Sequence, residues 1–315
     1  MNPAKNTSIK KLSVAVLMGG WTAEREVSLV SGRECAKALQ DLGYYVREID
    51  VTRDLGALIA ALTPRPDVVF NALHGRGGED GTVQGVLEFL RVPYTHSGVL
   101  ASAVAMDKPI ARSVFAAAGL PLAAGKLVSR GELASGDVMA RPYVVKPINE
   151  GSSVGVRIVL AGDNSWASEA KAWAFGEHAL VEAYVPGREI TVAVMGDRAL
   201  GALEIRPAKG FYDYDAKYAP GGSDHLVPAP IHAKAYAQAL EVALAAHNAL
   251  GCRGVSRADL RYDDTKGEPG KIVLLEVNTQ PGMTPTSLVP DIARHAGIPF
   301  PALVQWMVEN AACDF

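Results

Sequence analysis

The chain has 315 residues, of which 49% are hydrophobic and 21% are charged, and its formal net charge is −3. This length accommodates two or three domains of ordinary size. The small acidic excess argues against a nucleic-acid-binding surface, which usually carries an excess of Lys and Arg, and no segment approaches the roughly 18 apolar residues of a membrane span.

The first hundred residues alternate between strand and helix patterns. The predicted strands are residues 12–20, 44–51, 67–73 and 92–96, and the predicted helices are residues 27–43, 54–62 and 81–91. Such alternation predicts right-handed crossovers and a parallel sheet, with ligands at the carboxyl ends of its strands. The segments "GGWTAERE" and "HGRGGEDG" follow two of these strand ends. We therefore expect binding residues in both.

Residues 100–120 are predicted to be mostly helical, and the pattern then changes. Short strands joined by tight turns are predicted at residues 141–148, 152–160, 180–185 and 189–196, with one helix at residues 165–178. This part of the chain is predicted to form a small antiparallel α+β unit.

The segment "KPINEGSSVG", residues 146–155, combines a lysine at a strand end with a turn rich in Ser and Gly. It is not a Walker loop, because the lysine precedes the glycines, and it lacks the G-x-G-x-x-G spacing of a dinucleotide site. Phosphate binding needs positive charge and backbone N–H donors. Lys146 and Lys108, in "MDKP", are candidates for the charge, and the Ser/Gly turn for the donors.

The segment from residue 211 to residue 230 is aromatic, charged and rich in Gly and Pro, without a periodic pattern. A loop of this length inside a compact domain is usually functional or disordered, and its four aromatic residues argue against plain disorder. A long helix is predicted at residues 232–251, where His247 is expected to be a packed core histidine. Strands at residues 254–262 and 271–281 and terminal helices complete the chain.

The last two predicted strands carry a candidate metal site. Residues two apart on a strand share a face, so Arg257 and Asp259 point the same way, as do Glu276 and Asn278. Two carboxylates and an amide oxygen are hard ligands that suit Mg²⁺ held through substrate phosphates, and the arginine could stabilise developing charge. A salt-bridged sheet face is an equally good interpretation of these four residues alone. The following "NTQPGMTPTSL" loop favours a ligand site, because its glycine permits close approach of a ligand.

The three cysteines, Cys35, Cys252 and Cys313, form no pair with metal-ligand spacing. An odd number argues against a disulfide framework and favours a reducing cytoplasm. Glu182 and Glu189, near strand ends, could accept hydrogen bonds from an adenine amine and ribose hydroxyls. Either glutamate alone is more often a solvated surface residue.

Taken in chain order, the motifs resemble those of the D-alanine–D-alanine ligases, which are ATP-grasp enzymes of bacterial cell-wall synthesis. The segments that carry the resemblance are "GGWTAEREVSL", "HGRGGEDGTVQG", "MDK", "VKPINEGSSVG", "FYDYDAKY", "RADL" and "LEVNTQPGMTPTSL". They cover essentially the whole chain from about Val14. The resemblance implies an α/β protein with the ATP-grasp fold. Its parts would be a Rossmann-like parallel α/β domain at residues 1–104, a small central α+β domain at residues 105–189, and a C-terminal α+β domain at residues 190–315 with a mobile loop at residues 209–228.

The resemblance also implies the reaction. One D-alanine carboxylate attacks the γ-phosphate of ATP to give an acyl phosphate and ADP, the amine of a second D-alanine attacks the acyl phosphate, and phosphate leaves. The implied partners are ATP, D-alanine and two Mg²⁺ ions, with Mn²⁺ as a substitute, and the implied assembly is a cytoplasmic homodimer.

Family roles transfer to this sequence position by position. Asp259, Glu276 and Asn278 would bind the metal ions. The residues around ATP would be Lys108, Lys146, Glu182, Glu189 and Lys217, and Arg257 would stabilise the tetrahedral intermediate. Glu24 would hold the first D-alanine's ammonium, with His74 near its carboxylate, while Gly282, Ser287 and Leu288 would receive the second D-alanine. Ser152 and Tyr218 would join Glu24 in a hydrogen-bonded network.

The same resemblance assigns residues 150–155 as a lid over the phosphates, which would shield the acyl phosphate from water. One departure is Ala183, where many relatives carry lysine, so one side-chain contact to adenine is expected to be missing.

Three other functions remain as alternatives. A ligase that makes D-alanyl-D-lactate would depart from Tyr at the position of Tyr218. A nucleotide-binding regulatory protein without turnover would not need Asp259, Glu276, Asn278 and Arg257 intact. An NAD oxidoreductase lacks its fingerprint here and leaves the candidate metal residues unexplained.

Overall fold

The computed structural model describes residues 12–151, 153–207, 222–284 and 286–314. It confirms an α/β protein with one parallel and two antiparallel sheets. None of the helices among these residues is long and apolar enough to cross a bilayer.

The N-terminal part forms a three-stranded parallel sheet, in the order β2–β1–β3. Its strands and helices are β1 (Ser13–Gly19), α1 (Arg25–Asp41), β2 (Tyr45–Val51), α2 (Leu55–Ala61), β3 (Val68–Asn71) and α3 (Thr82–Leu90). All of them match predicted segments. The predicted strand at residues 92–96 is wrong, because Tyr94 makes only isolated bridges to Val69 and Ala312.

Two helices lead into the four-stranded sheet, α4 (Val99–Met106) and α5 (Lys108–Ala117). The sheet has the order β4–β7–β5–β6 and is antiparallel. Its strands and helices are β4 (Gly125–Ser129), α6 (Arg130–Ser135), β5 (Tyr143–Pro147), β6 (Arg157–Val159), α7 (Trp166–Lys171) and β7 (His178–Ala183). Neither β4 nor α6 was predicted from the sequence, although Ser129 and Glu132 form a capping box that marks the start of α6.

The five-stranded antiparallel sheet has the order β10–β9–β8–β11–β12. Its strands are β8 (Arg188–Met195), β9 (Arg198–Pro207), β10 (Ser223–Leu226), β11 (Val255–Asp263) and β12 (Lys271–Asn278). The prediction of a loop through residue 228 is wrong for residues 223–226, because they pair with β9 as β10. The strand β9 was not predicted.

Helix α8 (Ala233–Ala249) covers one face of the five-stranded sheet, and α9 (Leu288–His295) and α10 (Phe300–Glu309) follow β12. On α8, His247 is 2% exposed and its Nδ1 lies 2.7 Å from Ser256 Oγ, which confirms a packed histidine. The buried face of α8 includes Ala239, Ala243 and Ala246, whereas Leu240 and Leu244 are only partly buried.

One hydrophobic core joins the N-terminal sheet to the C-terminal helices. Val16 of β1 and Leu39 of α1 belong to the same buried cluster as Ile292 of α9 and Leu303 of α10. Burying such apolar surface stabilises each part only when the other is in place. The division into domains at residues 104 and 189 stays a prediction.

Candidate active site

A cleft of about 420 Å³ opens between the four-stranded and five-stranded sheets. Its wall includes five residues that the sequence analysis placed around ATP or a metal ion, which are Lys108, Lys146, Glu182, Glu189 and Glu276. Apolar side chains such as Val144 and Ile158 line the same cleft. A pocket with an apolar lining and a few convergent charges is suited to a small ligand with a flat base and a charged end.

Glu182, at the end of β7, lies at the centre of a buried ion cluster. It is 3% exposed, and its Oε2 lies 2.6 Å from Lys146 Nζ on the neighbouring strand β5. Its Oε1 lies 2.5 Å from Arg112 of α5, which also donates to the Ala123 carbonyl. Two cations therefore already engage this carboxylate, and an adenine amine would have to share it.

Lys108 begins α5, directly after the N-cap Asp107, whose side chain accepts from the Ile110 amide. The Lys108 Nζ donates to the Glu150 carbonyl at 2.6 Å and lies 3.8 Å from Glu276 Oε2. The lysine thus connects the segment after β5 with β12. Its positive charge lies on the wall of the cleft, next to the Glu276 carboxylate of β12.

The antiparallel pairing of β11 with β12 brings four candidate residues together. Arg257 is opposite Asn278, and Asp259 is opposite Glu276. Arg257 Nε and Nη2 each lie 2.8 Å from an oxygen of Asp259, and Thr191 Oγ1 donates to Asp259 Oδ1 at 2.7 Å. The salt-bridged sheet face foreseen as an alternative is therefore present. It does not exclude a ligand site, because Glu276 lines the cleft and its Oε2 lies 3.8 Å from Lys108 Nζ.

A search of the described residues finds no cluster of three or more His, Cys, Asp and Glu side chains that could hold a metal ion. The expected set has only two carboxylates, Asp259 and Glu276, with Asn278 as the third oxygen ligand. Such a set relies on ligand oxygens from the substrate, as Mg²⁺ sites commonly do.

Glu24 and His74 lie at the carboxyl end of the parallel sheet. Thr22 Oγ1 accepts from the Glu24 amide at 3.2 Å and donates to the His74 carbonyl at 3.1 Å, so one hydroxyl links the two loops. Gly75 has a φ of +70°, and a Cβ there would lie 2.7 Å from Glu24 Oε2. Only glycine fits between the loop and that carboxylate.

Burial lowers the pKa of His74, against the opposing effect of the Glu24 carboxylate. The imidazole therefore stays neutral at neutral pH, with Ser31 Oγ 3.4 Å from its Nε2. A neutral imidazole has one N–H donor and one acceptor nitrogen, and it adds no charge next to Glu24.

Glu79 is a site residue that the sequence analysis missed. Removal from water, together with the charge of Glu24, raises its pKa to about 8, and its Oε1 accepts from the Gly75 amide at 2.5 Å. The side chain is therefore mostly protonated at pH 7, which limits the negative charge next to Glu24. The "GGED" segment that contains it was singled out, but nothing local in the sequence distinguishes Glu79 from Asp80.

The loop after β12 carries the residues expected to receive the second substrate. Ser287 precedes α9, and its Oγ accepts from the Thr284 amide at 2.9 Å. A Cβ on Gly282 would lie 3.0 Å from that same oxygen. Leu288 is 6% exposed and packs in the core, so its side chain does not face a ligand and only its backbone could.

Three of the predicted site residues, Ser152, Lys217 and Tyr218, lie outside the described residues. So does most of the predicted mobile loop. The roles assigned to them stay predictions.

Comparison with known proteins gives a consistent result. Residues 114–309 match the family model described as "D-ala D-ala ligase C-terminus", and residues 56–97 match "D-ala D-ala ligase N-terminus". A D-alanine–D-alanine ligase of Acidiphilium cryptum is 64% identical over 95% of this chain and 98% of its own length. One from Granulibacter bethesdensis is 60% identical with the same coverage.

Among solved structures, a D-alanine–D-alanine ligase from Bacillus anthracis complexed with ATP is similar, with a TM-score of 0.78 at 32% identity. The similarity covers 95% of this chain and 96% of that one. A second structure described as the ligase from Bacillus anthracis gives a TM-score of 0.80.

Proposed function

The chain belongs to the D-alanine–D-alanine ligase family, and from that premise we propose that it joins two D-alanines to D-alanyl-D-alanine with ATP, for peptidoglycan synthesis. The observation that carries the proposal is the β11–β12 pairing, which groups Arg257, Asp259 and Asn278 with Glu276. Glu276 lines the same cleft as Lys108 and Lys146. Cation and carboxylate groups next to one nucleotide-sized cleft are what phosphoryl transfer requires.

Asp259, Glu276 and Asn278 would hold the Mg²⁺ ions, for which Mn²⁺ could substitute. The donor chemistry fits, because two carboxylates and an amide oxygen are hard ligands, and the strand register places Asp259 across from Glu276. When bound, such ions neutralise charge on the transferred phosphoryl group.

The chain's own side chains orient the first half-reaction. Glu24 would hold the ammonium of the first D-alanine, with the neutral His74 near its carboxylate. One carboxylate oxygen attacks the γ-phosphorus of ATP, the bond from that phosphorus to the β-phosphate oxygen breaks, and D-alanyl phosphate and ADP form. Lys108 and Lys146 would hold the ATP phosphates, while Glu189 would accept from the ribose and Glu182 from the adenine.

The second half-reaction forms the peptide bond. Gly282, Ser287 and the Leu288 backbone would receive the second D-alanine, whose free amine attacks the acyl carbon. Arg257 would stabilise the negative oxygen of the tetrahedral intermediate. The carbon–oxygen bond to phosphate then breaks, the amine nitrogen loses one proton, and inorganic phosphate leaves with that proton as hydrogen phosphate.

The roles of Ser152, Lys217 and Tyr218 are part of the same proposal. Ser152 and Tyr218 would extend the Glu24 network, Lys217 would contact ATP, and the segments around them would shield the acyl phosphate from water. The homodimer and a cytoplasmic location, where ATP is available and thiols stay reduced, are also proposals.

A coupled assay tests the proposal. Purified protein receives ATP and Mg²⁺ with D-alanine, with D-lactate, or with neither, and ADP and the ligated product are both measured. We expect ADP release that requires D-alanine and yields the dipeptide. Binding of ATP without D-alanine-dependent turnover would show a regulatory protein, and a D-lactate ester as main product would show the sibling ligase.

A further inference from the structure

A buried amide, Gln280, connects the two loops assigned to the two substrates. It is 1% exposed and lies in the loop after β12, two residues beyond Asn278. Its Oε1 accepts from Asn71 Nδ2 at 2.7 Å, and its Nε2 donates to the Leu73 carbonyl. Asn71 ends β3 and is completely buried.

The backbone of Gln280 makes two further contacts within the site. Its N–H donates to Asn278 Oδ1 at 3.0 Å, and its backbone also hydrogen-bonds His74. One residue therefore contacts a proposed metal ligand and a proposed ligand of the first substrate. Its own loop continues to Gly282 and Ser287, where the second substrate would bind.

On the opposite side, Asn71 Nδ2 also donates to the Gly78 carbonyl at 2.9 Å. Gly78 belongs to the loop of residues 74–81 that carries His74 and Glu79. The two amides therefore join the loop of residues 74–81 to the loop of residues 279–287 through direct hydrogen bonds. We call the Asn71–Gln280 pair the amide brace.

We propose that the amide brace sets the distance between the two D-alanine sites, so that Gln280 is a positioning residue for attack of the second amine on the acyl phosphate. The inference rests on the proposed ligase function. A buried, fully hydrogen-bonded amide pair fixes geometry more tightly than apolar packing, because each bond is directional and expensive to leave unmade.

The two half-reactions depend on this distance differently. Formation of the acyl phosphate requires ATP and only the first D-alanine. Attack by the second amine requires both loops in register, and a displacement of about 1 Å can slow such a step about 100-fold. Loss of the amide brace therefore delays dipeptide formation relative to ADP formation. This holds whether the acyl phosphate accumulates on the enzyme or reacts with water to return D-alanine and phosphate.

The test is Gln280→Met, which keeps the length of the side chain and removes both side-chain hydrogen bonds. Single-turnover mixing of excess enzyme with ATP, Mg²⁺ and saturating D-alanine follows ADP and dipeptide in the same samples. We expect the dipeptide rate to fall about 10- to 100-fold, while ADP formation changes less than threefold. The gap between the two products should widen relative to the unmodified protein.

Gln84→Met is the matched control. Gln84 is also 1% exposed, and its Nε2 donates at 2.9 Å to the same Gly78 carbonyl, but it contacts only the N-terminal side of the amide brace. The same chemical change there should cost stability without widening the gap between ADP and dipeptide.

A double variant, Asn71→Leu with Gln280→Met, leaves neither amide buried without its partner and serves if Gln280→Met alone does not fold. In this variant, dipeptide formation should still be delayed relative to ADP formation. The inference is overturned if dipeptide follows ADP as closely in the folded variants as in the unmodified protein, or if Gln84→Met gives the same delay. If the unmodified protein forms no dipeptide at all, the proposed function itself has failed instead.

Discussion

Glu182→Gln should show how much the buried ion cluster contributes to stability, apart from the other residues of the cleft. Gln keeps the shape of the side chain but replaces one carboxylate oxygen with an N–H donor, which would then face a cation. Glu182 is 3% exposed, with Arg112 at 2.5 Å and Lys146 at 2.6 Å. Breaking a buried ion pair by removing one partner typically costs 3–5 kcal/mol.

The partial exposure of the two cations places the expected cost at the lower end of the roughly 3–5 kcal/mol range. Their side chains are 18% and 13% exposed for Arg112 and Lys146, respectively, so water reaches part of each and lowers the cost. We expect the free energy of unfolding to fall by about 3 kcal/mol. ATP affinity should fall about tenfold, since a misplaced Lys146 would lose about one charge-assisted hydrogen bond to phosphate.

Urea unfolding at pH 7 and calorimetric titration with ATP measure the two effects. Glu189→Gln is the control on the same cleft, because its carboxylate is 18% exposed and lies 3.8 Å from Arg261. It should weaken ATP binding while costing about 1 kcal/mol of stability or less. If Glu182→Gln loses less than about 1 kcal/mol, the buried cluster does not contribute as its geometry indicates.

Three further results are expected. Glu276→Gln removes a charged oxygen from the proposed metal site, so ADP release at saturating Mg²⁺ should slow by about two to three orders of magnitude. The midpoint of urea unfolding should not change. Near-normal turnover would show that Glu276 is not a metal ligand. Asp314→Ala deletes the carboxylate that accepts from the Val99 amide at the start of α4 at 2.9 Å. Urea unfolding should show that the free energy of unfolding falls by about 1 kcal/mol, whereas no change would show that water replaces this cap. Burial lowers the pKa of His247 from 6.5 to about 4, so the unfolded chain binds the additional proton and the free energy of unfolding decreases as the pH falls below about 6.5. Between pH 7 and pH 5 this residue accounts for a loss of about 2 kcal/mol. His247→Gln should reduce the measured loss by that amount, and an equal loss in both proteins would contradict the prediction.

The sequence predicted the chemistry of the site better than its contacts. The i, i+2 rule placed Arg257 with Asp259 and Glu276 with Asn278, and the strand register then brought both pairs onto one face. That Arg257 engages Asp259 through two nitrogens depends on side-chain conformation, which no spacing rule specifies.

Contacts between distant segments were not predictable. Arg112 reaches Glu182 across 70 positions, and Gln280 reaches Asn71 across 209. Neither pair has a local pattern, because the first depends on how α5 packs against the four-stranded sheet and the second on how the parallel and five-stranded sheets meet. The missed strand β9 has a simpler cause: residues 201–205 are buried on both faces, and residues 199–203 are all apolar or glycine, so only residues 203–206 alternate between apolar and polar.

The shared core has a consequence for how the chain is made. The ribosome releases β1 more than 250 residues before α9 and α10, which supply Ile292 and Leu303 to the apolar face next to Val16. The Tyr94–Ala312 bridge is completed equally late. At about 5–20 residues per second, the N-terminal sheet of a nascent chain spends on the order of 10–50 s with that face uncovered. We therefore expect newly made chains to bind chaperones that hold exposed apolar surface, and slowing translation between residues 71 and 288 should lower the yield of folded protein.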